Sequence, residues 1–486
     1  MSESTPGTAQ AAVAAPPPKR PGLALAIIVL CQLMLIVDSS IVNVALPAIQ
    51  SDLGLSATGL AWVPTLYTLV FGGLLLAGGR MGDVYGRRRM LVGGIALFTV
   101  ASLVGGFATT AGWLLAARAV QGAGAPLAAP GTLSLIAVTF TATQTRNRAL
   151  GAFSAAAGVG VTLGYILGGV LTEFSWRWVL FVNVPFGIAV VVLAPRFLGE
   201  PERHSGRIDL SGAFTSTLGM GALAYAFIRV GETGWTDVQA VAAFAASAAL
   251  IAAFLIRQSV ATHPIMPLRL FAHRNRAAGL ANMFLLAAAM AGTIYFLSQL
   301  LQETLDMSPL RAGLAVLPLA LTQIAAARTA PRLVSRIGPK PVTVAGTLLI
   351  TVAMAWLSRI SGTPDYTASI LGPMLLFGIG VGLSFMPLNM MIISDVPHRD
   401  TGAASGLLQS TQRIGSSVGI AVLITAFGIA TQHPSAHENP HHILTHGIAA
   451  GLTLGTLFCL AALILAVTVI QPTPSNPDSG ATTNRN

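Results

Sequence analysis

Long apolar runs, separated by short polar turns, dominate this chain. Each of fourteen such runs is close to the length of about 20 residues that a helix needs to cross the hydrocarbon core of a bilayer. The first six are Leu23–Leu46, Thr58–Leu76, Met90–Ala108, Gly112–Thr139, Arg148–Leu171 and Trp178–Pro195. Two central runs follow, Leu210–Val230 and Val238–Ile256, and the last six are Ala277–Leu301, Pro309–Ala330, Pro341–Leu357, Ala368–Ser394, Thr401–Ala430 and Ile443–Ile470. The pattern predicts an all-α integral membrane protein with two six-helix bundles and two extra central helices.

The same pattern divides the chain into five parts. We predict an N-terminal bundle at 22–196, a linker with the two extra helices at 197–276, and a C-terminal bundle at 277–470. The polar, proline-rich segment 1–21 and the polar segment 471–486 are predicted to be disordered cytoplasmic tails.

Composition and charge placement agree with a membrane protein. Hydrophobic residues make up 53% of the chain and charged residues only 9%, whereas soluble domains carry about 25% charged residues. Of the 27 Lys and Arg residues, two, Arg118 and Arg413, lie deep inside apolar runs. Four lie at or beyond the ends of the runs on the side opposite the termini, namely Arg177, Arg229, Arg311 and Arg359. All the others lie on the side of the termini. The positive-inside rule therefore places both termini in the cytoplasm and explains the net charge of +10 without nucleic acid.

Asp38 is the one acidic residue deep inside a predicted span. Low dielectric favours the neutral form of a carboxyl group, so Asp38 is a candidate for reversible protonation and proton coupling. Gln32, Ser39 and Asn43 form a polar stripe beside it and are candidates for the lining of a substrate cavity. The alternative is an Asp that is permanently hydrogen-bonded to a neighbouring helix.

Arg118 and Gln121 lie three residues apart on one face of the fourth span. A guanidinium at the centre of a membrane helix costs about 2.5–3.5 kcal/mol, so Arg118 should face a cavity or a carboxylate. We assign Arg118 to proton coupling and Gln121 to the cavity. A structural arginine bonded to backbone carbonyls remains the alternative.

A glycine-rich basic turn follows the second span. Its residues Gly79, Asp83, Gly86, Arg87, Arg88 and Arg89 are candidates for a conformational gate. The glycines permit a tight reversal, and the Asp could cap a helix or pair with an arginine of the other bundle. Ordinary positive-inside anchoring would explain the three arginines but not the Asp or the glycine spacing. A related turn at 330–341 suggests that the two bundles are repeats.

Four glycines mark the fifth span, namely Gly160, Gly164, Gly168 and Gly169. They fall close to one face and allow close helix packing. No strand precedes them, which argues against a dinucleotide site.

Polar side chains also recur in the last six spans. Candidates for the substrate cavity are Tyr295, Gln299, Asn389, Gln409, Gln412 and Arg413. Each could equally hold helices together. Five histidines, His433, His437, His441, His442 and His446, lie around the connection between the last two spans, where we expect a solvated, pH-sensitive loop rather than a metal site, and no metal is expected elsewhere.

These motifs resemble those of the major facilitator superfamily. The basic turn is similar to its loop signature, although Val84 stands where a basic residue is usual, and the fifth span is similar to its antiporter signature, although Tyr165 stands where proline is usual. The first span carries Asp38, Asn43, Leu46 and Pro47 in the pattern of the family's proton-coupling helix, and Arg118 matches an arginine associated with proton transfer. The stretch WRWVLFVNVPFG at 176–187 and the extra helices resemble the fourteen-helix drug:proton antiporters. The resemblance covers roughly residues 22 to 470 and implies the major facilitator fold.

The resemblance implies a proton-driven exporter of antibiotics or lipophilic cationic compounds. We expect no cofactor besides the proton-motive force, a functional monomer, and a multi-pass location in the inner membrane of a bacterium. No Walker sequence is present, so a built-in ATPase is excluded. A metabolite exporter or a nutrient importer on the same fold is the nearest alternative. A membrane enzyme or receptor is disfavoured, because no cluster of catalytic side chains and no sizeable soluble domain is present.

Overall fold

The computed structural model describes residues 20–140, 143–200, 209–261, 266, 268–362, 364–393, 396, 401–432 and 440–471. Most of both predicted tails, residues 1–19 and 472–486, lies outside this part of the chain. The described residues are helical almost throughout, as the length of the apolar runs predicts.

The first group of helices forms the N-terminal bundle. Its members are α1 (Pro21–Leu53), α2 (Ala57–Leu60), α3 (Trp62–Tyr85), α4 (Arg87–Gly106), α5 (Ala111–Thr139), α6 (Thr143–Phe174), α7 (Trp178–Phe181) and α8 (Asn183–Phe197). Two helices, α9 (Leu210–Thr233) and α10 (Val238–Val260), form a central pair.

The C-terminal bundle begins after a short 3₁₀ helix at Leu268–Ala272. Its members are α11 (Arg274–Gln299), which continues as a π-helix at Leu300–Thr304, α12 (Pro309–Ile337), α13 (Pro339–Leu357), a π-helix at Tyr366–Leu371 that leads into α14 (Gly372–Ile393), α15 (Thr401–Thr431) and α16 (Pro440–Thr468). In the described residues, twelve helices are long and apolar enough to cross a membrane, and Val159–Phe174 in α6 is a shorter apolar stretch.

Helix ends differ from the predicted spans in a consistent way. α1 runs seven residues beyond Leu46 to Leu53, and α6 begins at Thr143 rather than Arg148. The predicted spans end where the apolar runs end. The helices are longer because their backbone hydrogen bonds continue into the polar residues that flank each run. Two predicted spans are each interrupted by one non-helical residue, Ala61 and Val182. The last helix begins at Pro440, so His441 and His442 are helical and the prediction of a loop at these two residues was wrong. His446 is helical as the predicted last span requires, and His433 and His437 lie outside the described residues.

Polar contacts show that the helices alternate in direction. Arg88 at the start of α4 donates to the carbonyl of Leu198 after α8 (2.9 Å), and Lys340 at the start of α13 donates to Val467 near the end of α16 (2.8 Å). We call this side, which also carries Arg80 and Arg87–Arg89, the basic end. Trp176 between α6 and α7 donates to Asp52 at the end of α1 (2.8 Å), which marks the opposite end.

The two bundles meet along two seams. In one, α3 packs against α15, and in the other α6 packs against α12. The central pair contributes α9, which lies against both α3 and α15. The end of α9 that lies away from the basic end is tied to both bundles, because Glu232 accepts from Thr58 (2.7 Å) and the carbonyl of Gly231 accepts from Gln432 (3.2 Å).

Asp209 fixes the central pair at the basic end. Its carboxylate caps α9 at Gly212 N (3.0 Å) and accepts from Arg257 (2.7 Å) and Gln258 (3.0 Å) of α10. Burial raises the pKa of Asp209, but these hydrogen bonds outweigh burial and lower the pKa to about 2. The carboxylate is therefore ionised, and the cap and the ion pair are both in place, throughout the physiological pH range.

Candidate functional site

A buried hydrogen-bond network surrounds Asp38. The side chain is 0% exposed, and its Oδ2 accepts from Arg118 Nη1 at 2.8 Å, while its Oδ1 accepts from Asn183 Nδ2 at 2.8 Å and Gln121 Nε2 at 3.3 Å. Three helices, α5, α8 and α1, thus converge on one carboxylate. Both oxygens are occupied by donors, so Asp38 is solvated by the protein itself.

Arg118 is equally well satisfied. The side chain is 2% exposed, and besides Asp38 it donates from Nη1 to Gln121 Oε1 (2.9 Å) and from Nε to the carbonyl of Val63 (3.3 Å). Gln121 in turn donates to Ser102 of α4 (2.7 Å). A buried pair of charges persists only when further hydrogen bonds satisfy both ions, and this network supplies them.

Aromatic rings extend the network through α3. The Arg118 guanidinium lies over the ring of Tyr67, with Cζ 4.3 Å from the centroid, and Tyr67 meets Phe71 edge-on at 5.8 Å. The guanidinium of Arg413, from α15 of the other bundle, lies over Phe71 at 4.4 Å. The Tyr67 hydroxyl is buried and has no hydrogen-bond partner within the described ranges.

Glycines of α6 bring this helix into close contact with α1, the helix that carries Asp38. A Cβ on Gly160 would lie 3.0 Å from Ile36 Cγ2, one on Gly164 would lie 2.6 Å from Ser40 Cβ, and one on Gly168 would lie 3.0 Å from the carbonyl of Ile41. These three glycines therefore form the surface on which the Asp38 segment of α1 rests. Gly169 instead faces Leu310 of the other bundle, with 2.7 Å between its potential Cβ and Leu310 Cα.

Replacing Gly164 by Val should separate α1 from α6. The new side chain would clash with Ser40 Cβ and with the Val37 carbonyl 3.2 Å away, and overpacking of this kind costs about 1–3 kcal/mol. We expect a lower melting temperature in detergent and loss of most transport. Gly93→Val is the matched control, because nothing lies within 4 Å of a Cβ at Gly93. Equal stability of the two variants would contradict this account of the α1–α6 contact.

The basic turn is held within its own bundle. Asp83 accepts from Arg87 Nη2 (2.9 Å), and Arg88 donates its backbone N–H to Glu200 (3.0 Å) and its side chain to the Leu198 carbonyl. Gly86 has a φ of +108°, and a Cβ there would lie 2.7 Å from Glu200, so glycine is required. Gly79 packs near Pro130, and Arg89 is exposed. The gate role of this turn stays a prediction.

Hydrogen bonds between the bundles cluster at the opposite end. Ser298 Oγ donates to the carbonyl of Asn43 (2.5 Å) and Gln302 Nε2 to that of Val44 (2.9 Å), joining α11 to α1. Glu173 accepts from the backbone of Leu310 (3.3 Å). The bundles are thus closed against each other at the end that lies away from the basic turns.

A cavity of about 710 Å³ lies between α12 and α14 of the C-terminal bundle and reaches Ile393, the last residue of α14 at the basic end. Its wall is mainly apolar and includes Phe385, Met386 and Met390. Gln323 and Asn389 supply the polar positions, and Asn389 Oδ1 is buried with no partner among the described residues.

The predicted cavity residues are distributed unevenly. Asn389 lines this cavity, whereas the amide of Gln121 is used in the Asp38 network. The fully buried Tyr295 accepts from Gln299 (3.1 Å) inside the C-terminal bundle. The remaining candidates contact other protein groups instead. Ser39 donates to the Ile36 carbonyl, Asn43 to the Ser39 carbonyl and Gln412 to the sulfur of Met283, and Arg413 lies over the Phe71 ring. Gln32 and Gln409 are helical residues of α1 and α15. Their role in substrate binding stays a prediction.

Several site residues were missed by the sequence analysis. Asn183, Ser102 and Tyr67 complete the Asp38 network, and Gln323 and Phe385 line the cavity. A polar residue within an otherwise apolar run was the available signal for Asn183. Nothing in a single sequence indicates which helix a tyrosine or glutamine will face.

Two helical bundles, a cavity at one end and a buried ion pair between spans define a multi-pass membrane transporter. The chain belongs to the Major Facilitator Superfamily, whose profile matches residues 28–420, and it is therefore not an enzyme. It is 37% identical over 446 residues to the cephamycin export protein CmcT of Amycolatopsis lactamdurans, covering 90% of this chain and 89% of the relative. It is 36% identical over 463 residues to a puromycin resistance protein of Streptomyces alboniger, covering 94% and 91%.

Solved structures support the fold. The inward-open xylose transporter XylE from E. coli aligns with a TM-score of 0.60 at 15% sequence identity, covering 94% of this chain and 98% of that one. At this identity the likeness concerns the fold alone. The expectation of the major facilitator fold is thereby confirmed.

Proposed function

We propose that this protein is a proton-coupled exporter of antibiotics and related lipophilic compounds, working as a monomer with fourteen membrane helices and both termini in the cytoplasm. Relatives named for antibiotic export or resistance over most of their length support drug efflux. The helix count rests on the twelve apolar spans together with α5 and α6, which are long but interrupted by polar and small residues. The concentration of Arg and Lys at the basic end supports its cytoplasmic location.

The observation that carries proton coupling is the buried Asp38–Arg118 pair. An ionisable group within membrane spans is a functional site by default. Here the carboxylate has an arginine partner at 2.8 Å, and protonation would release that arginine for other contacts. A switch of this kind changes how α1, α5 and α8 hold one another, which is the coupling that an antiporter requires.

Alternating access determines on which side of the membrane Asp38 binds its proton and on which side it releases the proton. The bundles are hydrogen-bonded together at the opposite end, and the cavity reaches the basic end, so the conformation described here accepts cargo from the cytoplasm. Rocking of the bundles would break the Asn43–Ser298 and Val44–Gln302 contacts and expose the site outward. Asp38 would take a proton there, and it would release the proton when the site faces inward again.

Cargo is proposed to bind in the cavity rather than on Asp38. Both carboxylate oxygens already accept hydrogen bonds, whereas Asn389, in a cavity wall of Phe and Met side chains, has a buried side-chain oxygen without a partner among the described residues. Methionine adapts to ligands of different shape, which suits an exporter of several compounds. A volume near 710 Å³ lies within the range of about 300–1,000 Å³ typical of drug-sized ligand sites.

The proton-motive force is sufficient for such an exchange. One charge moving through 100 mV supplies about 2.3 kcal/mol, and each pH unit adds about 1.4 kcal/mol. Together they support a gradient of several hundred-fold per proton. No nucleotide is needed for export of this size.

Everted membrane vesicles from an efflux-deficient bacterial host provide the test. With the vesicle interior acidified by respiration, we expect uptake of ethidium and of puromycin, and release of both when an uncoupler collapses the gradient. Vesicles without the protein are the control. No energised uptake of any compound in an antibiotic panel, together with uptake of a polar nutrient by intact cells, would favour the importer instead.

A further inference from the structure

A continuous line of side chains joins the proton site to the other bundle. It runs from Asp38 through Arg118 and the rings of Tyr67 and Phe71 to Arg413. Arg118 lies over the first ring and Arg413 over the second, so each end of the aromatic pair carries a guanidinium. The line crosses the seam between α3 and α15, and its last member alone belongs to the C-terminal bundle.

Arg413 has no counter-ion in the part of the chain that the structure describes. Its guanidinium carbon lies 4.4 Å from the centroid of the Phe71 ring, so the face of that ring accommodates the positive charge. Arg118, by contrast, is neutralised by Asp38. An uncompensated guanidinium between membrane helices is costly, which indicates a role beyond packing.

The position of Arg413 depends on how closely the bundles approach. A Cβ on Gly72 of α3 would lie 2.7 Å from Arg413 Cβ, so the glycine lets the start of the arginine side chain lie directly against α3. Further towards the opposite end, Ser417 donates to the carbonyl of Thr65 (3.2 Å). Opening of the opposite end must move α15 relative to α3 and therefore move this guanidinium.

We propose that Arg413 is a positioning residue that couples the α3–α15 seam to the protonation of Asp38. This inference rests on the proposed function, in which Asp38 is the coupling carboxyl group. In the inward-facing conformation, the positive charge of Arg413 over Phe71 favours ionised Asp38 and hence proton release to the cytoplasm. When the seam opens, the charge withdraws and proton uptake from outside is favoured. Proton uptake from outside and release to the cytoplasm is the direction that an antiporter needs in order to export its cargo.

Few other charges face Asp38. Among the helices packed on α1, α5 contributes Arg118 and α3 contributes Tyr67, while α8 contributes the neutral amide of Asn183. At this level α6 presents Gly164 to Ser40. α11 and α12 meet α1 farther along, from Asn43 onward, and the acids near that end are Glu303 of the π-helix that continues α11 and Glu173 of α6. Arg413 is therefore the charge near this site whose position depends on the other bundle.

Titration of purified protein tests the inference. The carbonyl stretch of protonated Asp38, identified by infrared difference spectra as the band that Asp38→Asn lacks, is followed against pH. As a general estimate, a unit charge about 12 Å from a titrating group, at an effective dielectric of about 20, shifts the midpoint by about one pH unit. We expect Arg413→Gln to move the midpoint up by about that amount, and the pH optimum of vesicle transport to move with it.

Charge-matched variants separate coupling from packing. Arg413→Lys keeps the charge and should keep the wild-type midpoint, whereas Arg413→Met, a neutral side chain of similar length, should shift it as Arg413→Gln does. Arg359→Gln removes an exposed arginine at the opposite end and should have no effect. An unmoved midpoint in both neutral variants overturns this inference while leaving Asp38 as the coupling group. A wild-type protein without any titrating carboxyl band overturns the inference together with the proposed proton site.

Discussion

Replacing Asp38 by Asn is expected to abolish proton-driven accumulation of drug while the folded protein stays in the membrane. Asparagine has nearly the same shape and still accepts one of the hydrogen bonds that Arg118, Asn183 and Gln121 supply. It cannot take up or release a proton in the physiological range. An imposed gradient of two pH units supports at most about 100-fold accumulation per proton exchanged. The variant should show an accumulation ratio near one in everted vesicles.

Asp365→Asn is the matched control for this prediction. Asp365 is exposed, caps the π-helix before α14 through the N–H of Ala368 (2.8 Å), and lies away from the ion pair. Asparagine caps as well as aspartate, so the control should transport normally. Passive equilibration of a permeant dye measures leak in all samples. If Asp38→Asn accumulates drug as the wild type does, with an uncoupler making no difference to either, the proton-coupling proposal fails.

Arg118→Gln should be the most destabilising single change in the site. It leaves Asp38 buried with only neutral donors, and removal of one partner of a buried ion pair typically costs about 3–5 kcal/mol. It also removes the cation that lies over Tyr67. We expect a clear fall in the melting temperature of the detergent-purified protein and no proton-driven transport.

The double variant Asp38→Asn with Arg118→Gln distinguishes charge burial from simple loss of contacts. With both charges gone, neutral amides can bond to each other, so most of the lost stability should return, while transport should stay absent. The two single variants and the double variant form a cycle whose interaction energy measures the pair directly. A double variant less stable than Arg118→Gln alone would show that the pair is not the source of the destabilisation.

The structure changes where cargo is expected to bind. An acid deep in a membrane span could hold a cationic cargo directly, and Asp38 is the one such acid in the predicted spans. In the structure three donors already occupy that carboxylate, and the cavity lies in the other bundle between α12 and α14. Coupling between proton and cargo is therefore proposed to pass through movement of the bundles rather than through competition for one group.

Tyr165 illustrates what a departure from a family motif can mean. It stands where the antiporter signature has proline, and α6 continues as helix from Thr143 to Phe174. Gly160, Gly164 and Gly168 nevertheless lie against α1. The close approach of these two helices thus requires the small residues and not the proline.

The sequence alone determined the membrane class, the order and approximate extent of the helices, and the Asp38 and Arg118 positions. Those features follow from hydrophobicity and helical spacing, which are local properties of a segment and decide by themselves whether that segment is stable in the bilayer. Only the tertiary structure decided that Arg118 pairs with Asp38, that Asn183 completes the network, and that Arg413 reaches across the seam. A polar residue in an apolar helix must find a partner, but its choice depends on helix rotation and packing between segments far apart in the chain. No local pattern encodes that choice.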